Sequence, residues 1–172
     1  MPLWEIHTSL VHFPIALLLS AVALDLYAAW RRQVGLARVA TGLIVAGVLL
    51  GLLTGLAGSL AFFTAPDTHT EEAHHRVYWH LGLALGSVVL FAVAALVRWR
   101  SWAVLPSGGI VLLGVIAGGL LIAAGYLGGD VVYHGGWGIT PGILSPELRE
   151  GHHHGESHGG HDGHGDQGHE HP

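Results

Sequence analysis

Four long apolar stretches dominate the chain. The first runs from about His12 to Trp30 and is broken only by Asp25, and the second, from about Val39 to Phe63, carries no charge. The third covers about Val77 to Val97 and the fourth about Ala103 to Gly129. A helix needs about 20 residues to cross about 30 Å of hydrocarbon, and each stretch is long enough. Within lipid the backbone must satisfy its own hydrogen bonds, so helices are the expected form. The pattern predicts an all-α membrane protein, a four-transmembrane-helix bundle with helices over about 8–30, 39–63, 76–97 and 103–133. Residues 1–142 form the transmembrane domain and residues 143–172 a disordered tail rich in His, Gly and acids.

The polar links predict an orientation. Arg31, Arg32 and Arg38 flank the first link, and Arg98 and Arg100 lie in the third, which places five of the seven basic residues there. The second link carries Asp67, Glu71 and Glu72. By the positive-inside rule the first and third links are cytoplasmic, with both termini outside. Trp30, Trp99 and Trp102 then mark one interface, and Trp4, Trp79, Tyr133 and Trp137 the other. Ala21-Val22-Ala23 resembles a signal-peptide cleavage site, but Glu5 and no basic residue precede the apolar run. A signal peptide has a positive n-region, so a retained first helix is expected. Glycine recurs every fourth residue at Gly47, Gly51 and Gly55, at Gly82 and Gly86, and at Gly114 and Gly118. Small residues at this spacing admit close helix contact, and the second helix is expected to be a central packing surface.

Composition narrows the chemistry. Charged residues make up 11% of the chain, against about 25% in soluble domains. No basic patch suggests nucleic acid. With no cysteine, disulfides, thiolate zinc sites, iron–sulfur ligation and covalent c-type haem attachment are excluded within the chain. No hydrolase or transferase constellation and no phosphate-binding loop is present.

What remains is histidine. Eight of the fifteen lie in the tail; the others are His7, His12, His69, His74, His75, His80 and His134, all mapped to the outer face. His12 and His80 fall within helix boundaries at similar depth, where polar side chains are costly and usually functional. Both are expected to point into the bundle. His7 and His75 each precede them by five residues, a rotation of roughly 140° on an ideal helix. One helix therefore cannot aim both members at one ligand unless its end is irregular. Imidazoles facing each other across a bundle can hold a b-type haem. Histidine with acid and water suits a divalent ion instead, and Asp130 with His134 completes the outer layer. The plainer alternative is that these side chains only hydrogen-bond at the interface, which is favoured for His69 and His74. Asp25, near the inner boundary, is expected to orient or pack the helix by bonding Thr41 or Thr54, or by pairing with an arginine. In the tail, His152, His153, His154, His158, His161, His164, His169 and His171 offer flexible ligands for zinc, nickel or copper.

Several motifs resemble a bacterial four-helix membrane domain of unknown function, family 2231. They are Ile6-His7-Thr8-Ser9-Leu10-Val11-His12-Phe13-Pro14-Ile15 followed by Asp25, Thr54-Gly55-Leu56-Ala57-Gly58, Arg76-Val77-Tyr78-Trp79-His80, and Gly125-Tyr126-Leu127-Gly128-Gly129-Asp130-Val131-Val132-Tyr133. The resemblance covers about residues 3 to 142. It departs at Thr8, where proline commonly follows the first histidine. It departs again after Tyr133, where His134 stands one residue earlier than the usual aromatic or histidine. Members resemble cytochrome-b-like domains, and some are fused to Rieske iron–sulfur or c-type cytochrome modules. The resemblance thus implies a bacterial inner-membrane protein that passes electrons through haem b at its outer face, with a cytochrome c, a Rieske-type protein or quinone as partner. A divalent-metal-binding membrane protein and a cofactor-free structural subunit are the alternatives.

Overall fold

The computed structural model describes residues 3–64, 71–101 and 104–135. Among these, five helices follow one another: α1 (Leu3–Leu10), α2 (His12–Arg31), α3 (Val34–Thr64), α4 (Glu71–Trp99) and α5 (Gly108–Tyr133). α1 and α2 together make one apolar span, and the other three make one each, so four segments are long and apolar enough to cross a membrane. The tail lies outside the described residues, as do His69 and the side chains of Trp4, Trp102 and Trp137.

Hydropathy locates the lipid-facing part of a helix, and the helices extend past it. α3 starts at Val34, taking in Arg38, and α4 starts at Glu71, so His74 and His75 are helical rather than in a loop. α5 starts later than expected. Pro106 disfavours helix in the residue before it, and Ser107 is extended, so the helix opens at Gly108. The α1–α2 break also has a local cause. Pro14 has no N–H to bond the Leu10 carbonyl, while the Thr8 and Ser9 hydroxyls bend back onto the Glu5 carbonyl at 2.8 and 3.0 Å. The chain turns from α2 into α3 through Arg32, whose φ of 53° is left-handed.

The bundle is built as two similar hairpins, α1/α2 with α3 and α4 with α5. These are the two most extensively packed pairs. His7 and Asp25 are eighteen residues apart, and so are His80 and Arg98. Eighteen residues are five turns of helix, so each pair shares one face. Leu18 and Phe91 occupy matching positions on these faces, as do Ala21 and Ala94, and all four are buried. α3 and α5 match likewise: Thr54 and Gly58 correspond to Ala124 and Gly128, and Gly47 to Ala117. The two hairpins run in the same sense, so they are parallel repeats about an axis along the helices. Leu18, Ala21, Ile44, Val48, Phe91, Ala117 and Leu121 form the core between them. Gly47 supplies the expected close approach, since a Cβ there would lie 2.7 Å from Leu18. Gly55 and Gly82 meet nothing and are not packing positions.

One end of the bundle carries the arginines, and there Arg98 of α4 pairs with Asp25 of α2. Arg98 is not in a loop but 5% exposed, and Asp25 is 4% exposed. The Arg98 Nη2 also donates to the Ala37 carbonyl of α3 at 2.6 Å. Of the partners expected for Asp25, the arginine is the one found. Thr41 bonds the Ala37 carbonyl of its own helix instead. Removing one member of a buried pair strands the other charge, which costs about 3–5 kcal/mol, whereas replacing both with apolar residues is often neutral. Asp25→Ala should therefore lower the thermal midpoint in detergent sharply, and Asp25→Leu with Arg98→Met should recover most of the loss. Little loss in Asp25→Ala alone would show that the pair does not hold the hairpins together.

Candidate functional site

At the opposite end, His7 of α1 and His80 of α4 face each other across the repeat axis, with ring centroids 6.4 Å apart and ring planes at 90°. The same device seats both rings. His7 Nδ1 lies 2.9 Å from the Thr54 carbonyl of α3 and His80 Nδ1 lies 2.7 Å from the Ala124 carbonyl of α5. Each ring rests on a glycine one turn further along that helix. A Cβ at Gly58 would sit 2.8 Å from His7 Nδ1, and one at Gly128 would sit 3.0 Å from His80 Cε1. The glycines are there because an imidazole occupies the space that a side chain would need.

A carbonyl only accepts, so each Nδ1 carries a proton, and in the neutral imidazole this leaves the lone pair on Nε2. Neither Nε2 has a hydrogen-bond partner among the described residues. Metal-ligating histidines are commonly oriented this way, with one ring nitrogen donating to a carbonyl while the other faces the metal. The two rings share a cavity of about 70 Å³. Its other walls are almost wholly apolar and include Pro14, Ile15, Leu18, Val88 and Leu121.

The structure thus pairs His80 with His7, not with His12. The break at Val11 lets α1 continue as helix, so His7 is a helical side chain turned inward. The expected rotation over five residues then carries His12 to an exposed position. His75, five residues before His80, is likewise exposed and rests near Trp79 at 6.3 Å. His74 packs by Phe62 and Tyr78. Asp130 takes the Arg76 guanidinium and, at 2.8 Å, His134 Nδ1. An arginine beside the carboxylate opposes a divalent ion there, and no group of three or more His, Cys, Asp or Glu suited to a metal occurs among the described residues. The eight tail histidines lie outside the described residues. What sequence reasoning missed was the repeat: two histidines each followed eighteen residues later by a charge, and two Gly-x-x-Gly segments at Gly55–Gly58 and Gly125–Gly128.

The family model described as predicted membrane protein, domain of unknown function 2231, matches residues 4–141. The chain belongs to this family. The matched region takes in both hairpins and every residue of the histidine pair. No curated protein and no solved structure matches the chain.

Since each ring depends on its glycine, Gly58→Ala should unseat His7 and remove its Nδ1–H tautomer signature in histidine ¹⁵N NMR, leaving that of His80. Gly128→Ala should do the reverse. An unchanged His7 spectrum in Gly58→Ala would mean that the glycine does not set the ring.

Proposed function

We propose that the chain is a membrane electron-transfer protein of the b-type haem class, in which His7 and His80 would hold the haem. The observation that carries this reading is the pair of facing imidazoles, each anchored through Nδ1 and each with an unengaged Nε2. Two imidazoles sharing one metal ion at about 2.0–2.1 Å per bond have centroids roughly 6 Å apart, close to the 6.4 Å found. The donor set also fits. Two histidines in apolar walls leave a bare divalent ion short of ligands, whereas haem iron brings four equatorial nitrogens and an apolar macrocycle of its own. Bound haem would supply one-electron transfer at the end of the bundle where both rings lie.

The protein's own part is orientation and exclusion of water. The Thr54 and Ala124 carbonyls fix the tautomers and raise the basicity of each free nitrogen. Pro14, Ile15, Leu18, Val88 and Leu121 keep the surroundings of low dielectric. The seam between the hairpins passes between the rings, and the packing across it, α3 with α4 and α2 with α5, is less extensive than that within each hairpin. By the distribution of Arg31, Arg32, Arg38 and Arg100, the histidine end faces away from the cytoplasm of a bacterial inner membrane. A redox protein on that side, of the cytochrome c or Rieske type, or quinone in the bilayer, is then the partner.

A second reading rests on the size of the cavity. About 70 Å³ holds an ion with a water but is well below the several hundred Å³ of ordinary cofactor sites, so haem requires the hairpins to part. A bare copper, zinc or nickel ion between the same two nitrogens needs no such movement. Visible spectra of chelator-washed protein, before and after haem addition, separate the two. The haem reading expects a Soret band that shifts on reduction, is abolished by His7→Ala or His80→Ala, and survives His12→Ala and His75→Ala. No Soret band in the supplemented wild type, with one copper, zinc or nickel lost in His7→Ala, would replace haem by the bare ion.

A further inference from the structure

The two seams between the hairpins are related by the repeat but are filled differently. On the α2–α5 seam, Leu19 and Val22 reach Gly118: a Cβ there would lie 3.5 Å from Val22 Cγ2 and 3.6 Å from Leu19 Cδ2. On the α3–α4 seam the matching positions are reversed in size, with Ala92 and Ala95 facing Val48. The alanines do not fill the gap, and a groove of about 250 Å³ remains. Val48 is buried and the two alanines are half-buried, so they form its floor, while exposed Leu49, Leu96 and Trp99 form its rim. Apart from the Trp99 indole N–H the lining is apolar, which suits a hydrocarbon chain.

The groove lies towards the arginine end. Val45, also in its lining, and Leu49 continue a stripe on α3 that contains Arg38, seven residues from Val45 and so about 10.5 Å along the helix on nearly the same face. Arg38 is exposed and has no ion-pair partner among the described residues. Arg100 follows the rim residue Trp99. Among the described residues, the acid at this end is Asp25, which is committed to Arg98. An apolar groove with an uncompensated arginine about two helical turns beyond it on the same helix face, and an interfacial tryptophan on its rim, matches one kind of molecule, a lipid with a negative head.

We infer that the α3–α4 groove is a binding site for an anionic phospholipid, with one acyl chain on Ala92 and Ala95 and the phosphate at Arg38. The closed α2–α5 seam shows how to remove the site without new chemistry, because Leu and Val already occupy the matching positions. This inference does not depend on what the histidine pair holds.

Native mass spectrometry of the full chain in mild detergent tests it, with phosphatidylglycerol and phosphatidylcholine of identical acyl chains as probes. The wild type should retain one phosphatidylglycerol about fivefold more than phosphatidylcholine. Arg38→Gln, an exposed substitution, should erase that preference. Ala92→Leu with Ala95→Val should abolish retention of both lipids while the thermal midpoint holds or rises. Equal retention of the two lipids by the wild type, or an unchanged preference in Arg38→Gln, would overturn the inference. So would a co-purified isoprenoid quinone displaced by the filled groove in place of phospholipid.

Discussion

The contact on which the bundle depends is the buried pair of Asp25 and Arg98. It joins the two hairpins at equivalent positions of the repeat, across the axis that relates them. Identical side chains at these positions would have put like charges, or two unpaired polar groups, against each other in an apolar interior. Opposite charges turn the same geometry into a link, and the Ala37 carbonyl takes a further guanidinium N–H. Because Asp25 and Arg98 lie five helical turns from His7 and His80 on the same faces, this pair also sets the register of the histidines. A slip of one hairpin past the other would separate both pairs at once.

The histidine end is held by different means. Each ring is tied within its own hairpin, to a carbonyl of the neighbouring helix and onto a glycine, so the rings meet across the seam without a bond between them. The arginine end is thus joined by charge, and the histidine end presents two preset imidazoles across a less extensively packed seam. Parting the two halves would leave in place the contacts that orient each ring.

The spans were legible because burial in lipid demands uninterrupted apolar length, which hydropathy measures directly. The gathering of histidines at one end was legible as well, from their places relative to the four spans. The partner of His80 was not. Its choice depends on whether Leu3–Leu10 is helical, and Glu5, His7, Thr8 and Ser9 interrupt the apolar run from which the first span is read. Once it is helix, His7 turns inward and His12 outward. The role of Gly58 and Gly128 was equally hidden, since a glycine under an imidazole looks in sequence like any other membrane glycine. The repeat would have exposed both, but the halves share few identities, and their spacing rather than their similarity carries the relation.

The repeat also gives the two histidines unequal neighbours. Asp130, with Arg76 and His134 around it, stands on the second hairpin two residues from the glycine under His80. The matching place on the first hairpin is Leu60, and the match to Arg76 is Leu3. Two chemically alike rings therefore belong to hairpins of different polarity, one with a charge cluster where the other has leucine. A pair of rings set on a symmetric frame thus acquires a front and a back.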